Sequence, residues 1–134
     1  MDNNSIEVYG GIFKSLQDAE EFMKIVDGTP QRFYRELYLQ GEFKGQIEVK
    51  FFDKMTNKAE ELYQDFPYGD VIVEGLQARC SSKLKRRVNT AIVIYDFYLS
   101  GHFTGHLLGT MKEKKTDEFY IFNVDTIYPY KDIS

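Results

Sequence analysis

Val88-Asn89-Thr90-Ala91-Ile92-Val93-Ile94-Tyr95-Asp96-Phe97-Tyr98-Leu99 is the stretch on which the fold turns, because Ala91 to Tyr95 is the one long apolar run of the chain. β-Branched and aromatic residues in unbroken succession suit a pleated strand buried on both faces. Ser100-Gly101 then supplies a tight reversal, since glycine takes the positive φ of a two-residue hairpin turn, and a second apolar stretch runs from Phe103 to Met111. After a polar break at Lys114 to Asp117, Phe119 to Val124 reads as a third strand. The C-terminal part is thus predicted to be a three-stranded meander with Val88 to Leu99 at or near its centre.

Working outward, Ser5 to Tyr9 alternates polar and apolar residues, and Gly10-Gly11 allows a bulge or a close backbone approach. Ser15 and Asp18 have the spacing of a capping box, opening a helix in which Leu16, Ala19, Phe22, Met23 and Val26 form one apolar face before Gly28 and Pro30 stop it. A short second helix fits Gln31 to Gln40. Gln46 to Phe52 alternates as a strand with Ile47, Val49 and Phe51 inward. Thr56 is placed to cap a helix through Phe66, with Ala59, Leu62, Tyr63 and Phe66 as its stripe. Pro67 to Asp70 is a turn, Val71 to Val73 fits either a short strand or a first helical turn, and Arg79 to Arg87 reads as a polar connector. The expectation is the α+β class: a single domain over residues 1–134, with an antiparallel sheet that includes the C-terminal meander, packed against two or three helices.

The 134 residues suffice for a core without disulfide or metal staples, and the single cysteine, Cys80, excludes an internal disulfide framework and fits a reducing compartment. No basic segment followed by an apolar run opens the sequence, and no apolar stretch approaches the ~20 residues that span a bilayer, so a cytoplasmic location is expected. Eleven Phe and ten Tyr without Trp leave two readings: half-buried tyrosines on a sheet surface, or an aromatic binding interface. Net charge is −4 but uneven, with 15 Asp/Glu against 8 Lys/Arg in residues 1–78 and 6 against 9 in residues 79–134. An acidic half disfavours direct nucleic-acid binding and suits a basic protein partner.

Chemistry finds little footing. His102 and His106 are four apart in glycine-containing, β-rich surroundings without a nearby cysteine or a zinc-protease glutamate, Cys80 has no partner pattern, and Gly10-Gly11 is no phosphate loop. Glu20-Glu21 and Glu60-Glu61 are predicted on solvated helix faces. No catalytic residue, cofactor or metal is expected. Lys83, Lys85, Arg86 and Arg87 form the one group suited to phosphate, with a solvated connector as the simpler reading.

Two stretches resemble a known family. Ser5-Ile6-Glu7-Val8-Tyr9-Gly10-Gly11-Ile12-Phe13-Lys14-Ser15, leading into the helix from Leu16 to Val26, is similar to the first strand, glycine, Phe-x-Ser and acidic helix of immunity protein family 22 of bacterial polymorphic toxin systems. Asn89 to Phe97, closed by Ser100-Gly101, is similar to that family's apolar strand. Tyr9 stands nearest the place where the family tends to carry a Trp. The resemblance implies a stoichiometric inhibitor and not an enzyme: a cytoplasmic immunity protein, of the kind used in contact-dependent growth inhibition. It would bind the cognate toxin's C-terminal domain, often a basic nuclease, and occlude its active site or substrate groove. Candidate contacts are the carboxylates Glu42, Glu48, Asp65, Asp70 and Glu74 of the acidic half, with Tyr38 and Tyr68 as aromatic anchors. The alternative is a small-ligand or peptide-binding domain without catalytic activity, using a cavity between sheet and helices.

Overall fold

In a computed structural model of the chain, which describes residues 5–39, 43, 45–79, 82–96 and 113–128, the run from Ala91 to Tyr95 lies in a strand and is buried on both faces. In chain order the elements are β1 (Ser5–Ile12), α1 (Leu16–Phe22), β2 (Ile25–Val26), β3 (Thr29–Pro30), α2 (Gln31–Leu37), β4 (Gln46–Lys58), α3 (Ala59–Tyr63), α4 (Gly69–Arg79), β5 (Lys83–Asp96), β6 (Glu113–Lys115) and β7 (Tyr120–Ile127). Among the described residues five strands form one antiparallel sheet in the order β4-β5-β1-β7-β6, and β2 and β3 make a separate ribbon. With helices packed on this sheet, the fold is α+β.

Successive residues of the central strands face opposite sides of the sheet and divide the core in two. Ile6 and Val8 of β1 join Val93, Tyr95 and Phe122 beneath Leu62, Tyr63, Ile72 and Leu76 of α3 and α4. Tyr9 joins Ile92, Ile94 and Ile121 beneath Phe22, Phe33 and Leu37 of α1 and α2. The Tyr63 hydroxyl donates 2.8 Å to the Tyr9 carbonyl, fixing α3 to β1. On the other face, edge-on contacts of Tyr9 with Phe33 and of Phe33 with Phe22 tie both helices to the strand.

β1, not β5, is the middle strand, and it separates β5 from β7. Among the described residues of the C-terminal part, β5 and β7 are therefore not adjacent and β6 pairs with β7. The physical reason lies in β1 itself. It is buried from Ser5 to Gly11 and bonded along both edges, so it needs a neighbour on each side. Gly11 permits this, because a Cβ there would stand 2.6 Å from the Tyr120 carbonyl oxygen. The expected middle strand of the meander, Phe103 to Met111, and its Ser100-Gly101 turn lie outside the described residues.

Other expectations shift at element ends. Ser15 Oγ accepts from the Asp18 N–H as the capping pattern requires, but α1 stops at Phe22 and Leu16 and Val26 are exposed. Asp27 and Gly28 both take positive φ, turning Ile25–Val26 back on Thr29–Pro30. The helix expected with Thr56 as its cap is displaced by two residues, with Lys58 at the cap position, because Thr56 to Lys58 continue β4 across from β5. Four residues, Phe52 to Met55, bulge out against the single Asn89 of β5. Val71 to Val73 are helical, within α4. Lys83 to Arg87 are not a connector but the first part of β5, with Leu84 and Val88 buried between exposed cations.

Asn89 closes the β1 end of the core: its side chain accepts from Phe13 N–H at 3.1 Å and donates to the Phe13 carbonyl at 2.9 Å. These bonds lie on the β1 side of β5, just past the last ladder pair of Gly11 with Thr90. Asn89→Ala is expected to cost roughly 1–3 kcal/mol in urea-unfolding free energy with an unchanged denaturant slope, since two backbone groups lose their partner. A change below about 0.5 kcal/mol would show that the clamp is dispensable.

Candidate functional site

Of the sequence-derived candidates that lie among the described residues, all but Tyr38 fall on the side of the sheet covered by α3 and α4. α3 ends at Tyr63, and the chain turns through Gln64 to Tyr68 into α4. The turn is tight enough that a Cβ on Gly69 would fall 2.0 Å from the Gln64 carbonyl oxygen, which requires glycine there. The Gln64 side-chain amide donates to the Asp70 carboxylate, holding the first turn of α4 against the end of α3. Asp65, Tyr68 and Asp70 are all exposed on this turn, and Glu74 is exposed one helical turn further on.

Tyr68 sits at φ +59°, a left-handed conformation that is costly for a bulky side chain, and is 45% exposed. Its ring leans on Tyr95, with centroids 6.2 Å apart. Tyr95 in turn donates 2.6 Å to the Pro67 carbonyl, so the turn is anchored on β5. Glu48 lies on the adjacent edge strand β4, exposed and opposite Val93 in register. Burial chiefly, and then the negative charge of Glu48 and the neighbouring Tyr68, push the Tyr95 phenol well above its ordinary value. Lys50, two residues along β4, places its ammonium 5.5 Å from the Phe66 ring. Glu48, Asp65, Tyr68 and Asp70 thus surround one corner where α3, α4 and the β4 edge meet.

Tyr38 is not part of this corner. It caps α2 at φ +57° and is 65% exposed, with the Lys114 ammonium of β6 6.0 Å from its ring. α2 covers the other face of the sheet and β6 is the edge opposite β4, so Tyr38 and Tyr68 point to different surfaces. Glu42 lies outside the described residues.

The corner opens an acidic helical layer. Residues 59–78 carry Glu60, Glu61, Asp65, Asp70 and Glu74 and no Lys or Arg, and all five carboxylates are exposed. The Thr56 hydroxyl donates 2.7 Å to Glu61 and, as the largest influence, holds its carboxyl below the usual range. The layer presents negative charge and one projecting aromatic ring. Among the described residues no three His, Cys, Asp or Glu converge on a metal-sized point, and no helix is long and apolar enough to cross a membrane. His102, His106 and Cys80 lie outside the described residues. Sequence reading missed Gln64 and Tyr95 as the supports of the corner; Pro67-Tyr68-Gly69 marked the turn but not the ring that receives it.

No protein-family model, curated protein or solved structure matches the chain.

Burial also holds the Tyr63 phenol high, and burial with the bonded Glu113 carboxylate does the same for Tyr120. Because the folded state favours the neutral phenol, stability is fully present below the ordinary tyrosine value of 10.0 and falls as pH rises beyond it. In an absorbance titration the signal of Tyr63 and Tyr95 should appear only with alkaline unfolding. Ionisation of all tyrosines in one step near the ordinary value, with the fold intact, would contradict this burial.

Proposed function

We propose that the chain is a stoichiometric inhibitor whose α3–α4 layer, with Tyr68 as anchor and Glu48 at its border, docks a basic toxin domain. The observation that carries this reading is the uninterrupted acidity of residues 59–78 around an exposed aromatic ring in a strained backbone conformation. A surface rich in carboxylates steers a basic partner at long range, and an exposed tyrosine supplies contact area at low entropic cost. The same face would compete with a phosphate backbone for a nuclease cleft. The similarity of the first strand and of the β5 run to immunity protein family 22 supports the same reading.

Backbone strain at Tyr68 sharpens it. A left-handed non-glycine residue costs about 1–2 kcal/mol, and Asn tolerates that conformation better than Tyr. Tyr68→Asn should therefore leave unfolding free energy within about 1 kcal/mol of the parent while weakening partner binding at least tenfold. A large loss of stability without loss of binding would make Tyr68 a structural residue only.

The reading is tested by affinity capture from the organism that encodes the protein, in low and then high salt, with the parent chain and an Asp65→Lys, Asp70→Lys variant. The expected result is one basic partner whose C-terminal domain arrests growth when expressed alone and is neutralised by the parent chain. The variant should retain at least tenfold less of it. Absence of any protein partner, or capture that ignores the charge reversal, would contradict it.

A further inference from the structure

The two edges of the five-stranded sheet are built differently. β6 is three residues long and wholly charged, Glu113-Lys114-Lys115, a composition that keeps a further strand from adding to a sheet. β4 runs 13 residues, and it opposes β5 in unbroken register from Gln46 to Phe51. Among the described residues no strand lies beyond it. Ile47, Val49 and Phe51 are only half-buried on this edge, with Ile47 and Val49 packed against the core that α1 and α2 cover. Glu48 and Lys50 alternate with them, and among the described residues no ion pair engages either charge.

We infer that β4 pairs edge to edge with β4 of a second copy of this chain, antiparallel and centred on Val49. A two-fold axis normal to the sheet keeps the faces of both copies on the same side, so odd residues meet odd and even meet even. Centred on Val49, Glu48 of each copy stands opposite Lys50 of the other, and Ile47 stands opposite Phe51. Centring one residue to either side would set Glu48 against Glu48 or Lys50 against Lys50. Opposite charges, and β-branched with aromatic residues, are the cross-strand pairs that stabilise a ladder, whereas like charges directly opposite weaken it. The strand is thus its own complement in charge at this register. The bulge from Phe52 to Met55 ends the pairing, because extra residues bend a strand away from its ladder.

The pairing does not rest on the inhibitor reading, which stands on α3 and α4; Glu48 alone belongs to both surfaces. Sedimentation velocity of the full chain over a concentration series tests it. The expected result is a reversible equilibrium of monomer and dimer that Glu48→Lys and Lys50→Glu each weaken at least tenfold, since each sets two pairs of like charges face to face. The double variant Glu48→Lys, Lys50→Glu should restore the parent's strength, and the two single variants, mixed in equal amounts, should dimerise with one another. Asp65→Lys with Asp70→Lys, both off β4, should dimerise at least as well as the parent. Four results would overturn the pairing: a monomer at every concentration up to about 1 mM, a dimer indifferent to the reversals at Glu48 and Lys50, a double variant as weak as the single ones, or a dimer lost on reversal of Asp65 and Asp70. Each would leave the capture of a basic partner by the acidic layer to be judged on its own result.

Discussion

Everything in this fold depends on β1 being enclosed on both faces and both edges. A strand in that position can expose none of its side chains, so the layers above and below must each supply apolar cover, and the two cores follow. The Tyr63 bond to the Tyr9 carbonyl and the Tyr9–Phe33 contact join the same residue to opposite layers. With β1 between β5 and β7, the sheet gains a long outer strand, β4, whose border adjoins the α3–α4 turn. Glu48 approaches Tyr68 and Tyr95 as a consequence of that order.

The strand from Val88 onward was legible because burial on both faces leaves an unbroken apolar run, and α1's start was legible because a serine cap works locally. The central place of β1 was not. Ser5 and Glu7 are buried polar residues and Gly10-Gly11 interrupts the run, so a strand with more complete burial than most looked half-exposed in sequence. The arm from Lys83 to Arg87 was hidden for a related reason. Its cations lie along aromatic rings, Lys85 over Phe122 and Arg86 over Tyr120, so charged residues cover an apolar surface that a hydropathy pattern assigns to solvent. Thr56 to Lys58 are polar enough for a helix start, and only their pairing with β5 makes them strand.

Of the candidate site, sequence supplied the residue types and the structure their grouping. Glu48 is 17 residues from Asp65, and nothing local places them at one corner; strand order and the glycine-tight turn do. The two tyrosines singled out together belong to opposite surfaces, yet both cap or precede helices in the left-handed conformation. Each ring also has a neighbour within the fold, Tyr95 beside Tyr68 and Lys114 beside Tyr38.

The central claim is that the α3–α4 layer is the face that meets the partner. Hydrogen–deuterium exchange of the complex with the captured toxin domain measures this most directly. Slowed exchange in residues 59–78 and along Gln46 to Lys50, with α2 and β6 unchanged, is the predicted result. Protection confined to α2 and β6, with the acidic layer exchanging as in the free protein, would contradict it.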